Sequence, residues 1–215
     1  MSSDSSSCPF CKISAAFPPD VATPIPQSPD PELLSPQCHL LLSTPQVLAF
    51  LDILPISPGH VLLTTRDHYE KLSNIPSTPR TSSSSSPSLW EKQSPISVAE
   101  GSTPSQALGF WMPLLSRALA KSLDIEDWNV VQNNGARAAQ VVPHVHFHFI
   151  PRYPEGRKEV SGKGKVDVGM LKSWRMFGKG TREELDDEEA VGLSKRIREQ
   201  LAREVKDLER VKGKL

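Results

Sequence analysis

The sequence predicts an α+β domain of about five short strands with one long helix and a C-terminal amphipathic helix. Three patterns carry this: an apolar hairpin early in the chain, a helical apolar face between the third and fourth strands, and an i, i+4 stripe near the end. His39–Leu42 is apolar, Thr44-Pro45-Gln46 reads as a turn, and Val47–Ile53 is apolar again, so the pair forms a hairpin with Asp52 near its end. Pro55 and Ser57-Pro58-Gly59 make the next turn, and His60–Thr65 is a β-rich third strand. Over Ala107–Leu123, Leu108, Trp111, Met112, Leu115, Leu119 and Leu123 recur at helical spacing. Pro113 predicts a kink there, or a helix that begins near it. Trp128–Gln132 is a fourth strand, Asn133-Asn134-Gly135 a turn and Val141–Pro151 a fifth strand. Tyr153–Gly180 is rich in Gly and Lys and reads as loop. Thr181 and Glu184 have capping-box spacing, and the acidic run Glu183–Glu189 suits a helix N-terminus. Leu193, Ile197, Leu201, Val205 and Leu208 then form a stripe that fits either the chain's own sheet or a second copy.

Not all 215 residues are expected in the folded unit. Of the 31 residues from Pro76 to Gln106, 16 are Ser or Pro, and Ala15–Pro36 holds seven prolines. Such segments bury too little apolar surface to offset the entropy of ordering them. The expected organisation is a short cysteine-bearing start with a Pro-rich flexible segment over 1–37, a core domain over 38–152 with a disordered insertion at 76–106, and a basic loop with the C-terminal helix over 153–215. Formal net charge is zero, with 25 basic and 25 acidic residues, which argues against nucleic acid or an acidic membrane as the main partner. Met1–Ser7 lacks the apolar stretch of a secretory signal, and no apolar run is long enough for a membrane span. Cys8-Pro9-Phe10-Cys11 therefore suggests metal or redox chemistry in the cytoplasm or nucleus rather than a disulfide framework. Cys38 reads as a small buried residue.

His144-Val145-His146-Phe147-His148-Phe149 is the most informative stretch. In a strand, the three histidines share one face while Val145, Phe147 and Phe149 face the core. Three readings compete. A solvated polar face needs no histidine. A metal site made by this strand alone is strained, because His144 and His148 would have Cα atoms about 13 Å apart, whereas zinc needs its nitrogens at about 2.0–2.1 Å. A row of imidazoles dividing labour along an anionic substrate fits best. The middle ring, kept neutral by its neighbours, attacks phosphorus, and a flanking ring donates to the phosphate or leaving group. Asn133-Asn134-Gly135 and Gln140 can hold phosphate oxygens at the strand entrance without adding charge.

Cys8–Ile13 (CPFCKI), Phe50–Ile53 with Gly59-His60, and Asn129–Arg152 together resemble the histidine-triad family. The CPFCKI start and the NVVQNNG turn look more like its Hint branch of nucleoside phosphoramidases, fungal members included, than its Fhit branch of diadenosine polyphosphate hydrolases. The resemblance implies an antiparallel α+β sheet, usually a homodimer, and a small nucleotide as substrate. It implies that His146 forms a covalent nucleotidyl-histidine, that His148 contacts phosphate and leaving group, and that His144 orients the site. By the same resemblance Asp52 binds the ribose, Asn133, Gln140 and the Val141 backbone hold phosphate, and Phe10, Ile13, Leu51 and Ile53 line the purine pocket. A structural zinc on Cys8, Cys11, His68 and His144 is implied too, with no catalytic metal or organic cofactor. The implied reaction is hydrolysis of a purine nucleoside 5′-phosphoramidate. The alternatives are diadenosine polyphosphate cleavage, or a zinc-stabilised nucleotide-binding protein with little turnover. Three features depart from the family pattern: Val141 stands where many members carry Ser or Thr, Leu63-Thr64-Thr65-Arg66 replaces an apolar-Pro-Lys pattern, and the 76–106 insertion is foreign to compact members.

Overall fold

The computed structural model describes residues 6–19, 24–77, 103–154 and 184–212. Most of the 76–106 insertion, the basic loop and Thr181 lie outside the described residues. Helix α1 is Pro9–Ala16, followed by strands β1 Leu40–Ser43, β2 Val47–Leu51 and β3 Val61–Thr65. Helix α2 is Pro104–Leu123, β4 is Asp127–Gln132, β5 is His146–Arg152 and α3 is Asp187–Lys212. The five strands form one antiparallel sheet in the order β1-β2-β3-β5-β4. No helix among the described residues is long and apolar enough to cross a membrane.

Strand alternation gives this sheet two different buried faces. Val47, Ala49, Leu51, Val61, Leu63 and Phe149 point to one side and pack with Trp111, Leu115 and Leu119 of α2 and Leu193, Ile197 and Leu201 of α3. Leu40, Leu48, Phe50 and Leu62 point to the other side, where Cys8, Phe10 and Phe17 around α1 cover them. His146 and His148 lie on β5 opposite Thr64 and Leu62, so they open onto the α1 side.

Helix α2 starts earlier than Pro113 suggests. Thr103 and Gln106 form a reciprocal capping box with Pro104 in the first turn, so residues 103–106 belong to the helix rather than to the insertion. The helix runs unbroken through Pro113, and the carbonyl that Pro113 leaves without a donor belongs to Gly109, which is exposed to water. Gly59 meets the end of this helix: its φ is +82° and a Cβ there would lie 2.5 Å from Leu123 Cδ1, so the turn requires glycine.

Helix α3 is capped by Asp186, whose carboxylate accepts from Glu189 N–H at 3.0 Å; the described helix begins at Asp187, past the Thr181–Glu184 pair. Its stripe packs on α2 and on β1 and β2 of the same chain, which settles where the stripe goes. The expectation of a flexible segment over 1–37 is corrected for residues 24–37. Ile25 is 3% exposed in the main core, Leu34 packs on the second cluster, and Pro24 O and Pro31 O accept from Ser43 N–H and Cys38 N–H. Cys38 is buried, and burial pushes its thiol up to about 12.

Glu204 joins α2 to α3 by accepting from Arg117 at 2.9 Å, Lys121 at 2.6 Å and Gln200 at 3.0 Å. Burial raises its pKa, but the bonds from Lys121, Arg117 and Gln200 together outweigh that and hold it below the ordinary 4.5. A carboxylate with a depressed folded pKa contributes stability above its unfolded value and loses it as pH falls through the folded one. Glu204→Gln is therefore expected to cost about 1–2 kcal/mol at pH 7. The gap between wild type and variant should close below the ordinary carboxylate range, as urea melts across pH would show.

Candidate active site

The β5 histidines do not form a row of three. Strand β5 begins at His146, and the expected strand over Val141–Val145 is corrected to a loop. Pro143 precedes His144, His144 N–H donates to Val142 O at 2.8 Å, and Val145 N–H donates to Tyr69 O at 2.7 Å instead of joining the ladder to β3. Thr64 Oγ1 donates to Val145 O at 2.8 Å and closes the strand start. His144 is thereby turned toward α1, leaving His146 and His148 as an adjacent pair with ring centroids 4.8 Å apart.

The tautomer of each ring follows from its backbone partners. His146 Nδ1 lies 2.6 Å from the His144 carbonyl, which can only accept, so Nδ1 carries the proton and Nε2 keeps its lone pair. His146 is 4% exposed, and burial lowers its pKa from the ordinary 6.5 against the opposing bond to His144. The ring is neutral, with a bare nitrogen. For His148 the governing neighbour is His60, a residue the sequence reading quoted in a motif without giving it a role. Ile56 N–H donates to His60 Nδ1 at 3.2 Å, so His60 Nε2 carries a proton and donates to His148 Nδ1 at 3.0 Å. That leaves the proton of His148 on Nε2. Asp52 Oδ2 lies 3.3 Å from the same His60 Nδ1 that accepts from Ile56 N–H.

The cysteine cluster stands beside this pair. Cys8 Sγ is 3.3 Å and Cys11 Sγ 3.7 Å from His144 Nδ1, Cys11 Sγ is 3.3 Å from His68 Nδ1, and all four ligand atoms lie within 4.8 Å of one another. A tetrahedral ion with bonds of about 2.3 Å to sulfur and about 2.05 Å to nitrogen sets neighbouring S and N about 3.6 Å apart, so the spacing fits. The chemistry of the donors fits as well. His144 Nε2 faces Thr65 O at 2.9 Å and Thr65 Oγ1 at 3.2 Å, and that hydroxyl already donates to Asp67 O. Nε2 must therefore carry the proton, which leaves Nδ1 bare and aimed at the thiols. Burial pulls the His144 imidazole down to about 4, keeping it neutral as a metal ligand must be. Burial, reinforced by Cys8, pushes the Cys11 thiol up to about 12, so capture of a metal would release its proton.

The expected nucleotide-binding residues are placed unequally. Phe10 is buried against Phe50 (centroids 5.5 Å) and stands edge-on to His146 (5.1 Å), with Ile13 packed on the same cluster. Ile53 is 39% exposed at the rim. Leu51 is on the wrong face: it is 1% exposed in the helix-side core, and Phe50 takes the position expected of it. Period-two alternation from Asp52 would have found this. Asp52 is buried, with Oδ1 accepting from Leu54 N–H at 2.9 Å. Asn133 is half-buried at the end of β4. Gln140 is not aimed outward: its oxygen accepts from Gly135 N–H, and its amide donates to Glu70 O at 2.6 Å and His144 O at 3.3 Å, so it braces the loop. Val141 is 91% exposed.

An oriented imidazole pair, His146 buried and His148 half-buried, lies on an interior strand of an antiparallel sheet with Phe10 of α1 edge-on to His146. The chain belongs to the histidine-triad (HIT) family: the HIT domain model matches residues 35–155, more than half of it. It is 35% identical over 115 residues to adenosine 5′-monophosphoramidase HNT1 of Saccharomyces cerevisiae, covering 54% of each chain, so it spans about half that relative's length. It is 32% identical over 179 residues to adenosine 5′-monophosphoramidase hnt1 of Schizosaccharomyces pombe, covering 77% of this chain and 99% of that one. A Zn-bound histidine triad family protein from Mycobacterium smegmatis shares the fold at a TM-score of 0.53 and 21% identity, covering 93% of this chain and 96% of that one.

Proposed function

We propose that the protein hydrolyses purine nucleoside 5′-phosphoramidates, releasing the nucleoside monophosphate through a nucleotidyl-histidine on His146. The observation that carries this reading is the bond from His146 Nδ1 to the His144 carbonyl, which leaves Nε2 as a bare nitrogen beside a His148 whose Nε2 holds a proton. In the first step His146 Nε2 attacks the α-phosphorus, the P–N bond to the leaving amine breaks, and His148 Nε2–H gives that amine its proton. In the second, His148 takes a proton from water, the water oxygen bonds to phosphorus, and the phosphorus–His146 bond breaks. Phe10, Phe50, Ile13 and Ile53 would flank the base and Asp52 the ribose. The match to a named phosphoramidase along nearly its whole length supports the substrate class.

Cys8, Cys11, His68 and His144 would hold a structural zinc ion, whose closed coordination pins α1 and the loop before β5. Two reduced thiols in such a site suit the cytoplasm or nucleus. The reading includes a second copy of the chain as partner: β4 is an edge strand with Val130 43% exposed, and sedimentation at micromolar concentration should show a dimer.

The function is tested by timing AMP release from adenosine 5′-phosphoramidate, an AMP–lysine conjugate and a diadenosine polyphosphate. The two phosphoramidates should turn over fastest, and His148→Ala should lower kcat by about 10²–10³-fold. A clear preference for the dinucleotide would move the protein to the polyphosphate reading. Nucleotide binding without turnover of any of the three would make it a binding protein.

A further inference from the structure

One residue belongs to both the cysteine cluster and the nucleophile's support. The ring of His144 is fixed on one side by the Cys8 and Cys11 sulfurs and on the other by Thr65 O. Its carbonyl accepts from His146 Nδ1 at 2.6 Å and from Gln140 Nε2 at 3.3 Å. Because β5 starts only at His146, no sheet hydrogen bond holds the 144 peptide. Its orientation depends on the ring, on the turn to Val142 and on the longer bond from Gln140.

The cluster's other segment reaches the same place. His68 faces Cys11, and the residues just after it receive Val145 N–H on Tyr69 O and the Gln140 amide on Glu70 O. Gln140 in turn holds Gly135 N–H. Three stretches of chain, 8–11, 65–70 and 140–145, therefore converge on four ligand atoms; the last carries the carbonyl that orients His146, and 65–70 holds that stretch through Tyr69 O and Glu70 O.

We propose that His144 is a positioning residue through which metal occupancy of the Cys8–Cys11–His68–His144 cluster governs the chemical step at His146. The proposal rests on the phosphoramidase and zinc readings above. With the ring anchored, the 144 carbonyl stays in place to hold the His146 proton on Nδ1 and keep Nε2 bare. With the cluster open, the ring and its peptide can turn, and the nucleophile loses the partner that fixes its tautomer and aim. A cluster serving only as a staple for α1 would change stability and leave the chemistry of the folded protein as it was.

The test uses the full chain, with zinc content by elemental analysis, the His146 Nδ1–H signal in ¹⁵N-histidine NMR, and kcat and KM on adenosine 5′-phosphoramidate. His68→Ala removes one ligand and leaves Cys8, Cys11 and His144 in place. It should lose the metal, the His146 Nδ1–H should lose its protection from exchange, and kcat should fall by about tenfold or more with KM within about twofold. Wild type stripped by a chelator should behave the same way, and refilling with zinc should restore both signal and kcat, which excludes simple misfolding. Loss of zinc with an unchanged His146 signal and kcat would overturn the coupling while leaving the metal reading intact. A rise in KM alone would overturn it too. Wild type that neither carries nor takes up zinc would overturn the metal reading and the proposal with it. Failure of the wild type to turn over any of the three substrates above would instead remove the phosphoramidase reading.

Discussion

His146→Ala is expected to lower AMP release from adenosine 5′-phosphoramidate by about 10⁴-fold or more in kcat, equivalent to about 5.5 kcal/mol of barrier. The size follows from the role. A general acid such as His148 contributes through one proton, and a leaving group can find another donor, whereas removal of a nucleophile closes the two-step route. His146→Asn sharpens the comparison. Its carboxamide can still donate to the His144 carbonyl and fill much of the space, but it offers no ring nitrogen to phosphorus. Both variants should be inactive, and the asparagine protein should melt closer to wild type. Residual activity of the asparagine variant within about tenfold of wild type would mean that water attacks directly and that His146 only shapes the site. Progress curves with coupled AMP detection resolve the difference.

The largest stability effect is expected from Trp111→Ala, at about 4 kcal/mol and a Tm lower by about 10–15 °C. Trp111 is fully buried at the centre of α2, where the helix meets both the sheet and α3. Truncation leaves a cavity between three layers of rigid structure, and none of them can collapse into it without disturbing the others. Trp111→Phe should cost far less, about 1 kcal/mol. The indole N–H has no hydrogen-bond partner among the described residues, so its removal relieves a buried unpaired donor while most of the apolar surface is kept. Equal losses for alanine and phenylalanine would contradict the packing described. Differential scanning calorimetry on the three proteins measures both.

Where local pattern and tertiary structure agree, the sequence was legible. The hairpin, the helical faces of α2 and α3, and the placing of His146 with His148 on the face opposite Phe149 all follow from period and burial. The fifth strand was carried too far back, to Val141, because periodicity assumes that the strand continues. Pro143 and the competing acceptor on Tyr69 end it first, and no pattern within one segment reveals an acceptor more than seventy residues away. Leu51 and Phe50 were exchanged although alternation from Asp52 was available. His60 acquires its part only when β3 lies beside β5, setting its ring 3.0 Å from His148. Gln140 looked like a phosphate ligand because an amide at a strand entrance is ambiguous. Two of the backbone groups that engage it, at Gly135 and His144, lie in its own loop, and the third, Glu70 O, comes from the segment after β3.

The stereochemical course at phosphorus tests the account most directly. A substrate made chiral at the α-phosphorus is hydrolysed in isotopically labelled water and the product's configuration is read by ³¹P NMR. Two successive in-line displacements, first by His146 Nε2 and then by water, predict net retention. Net inversion would mean a single attack by water, and His146 could not then be the nucleophile.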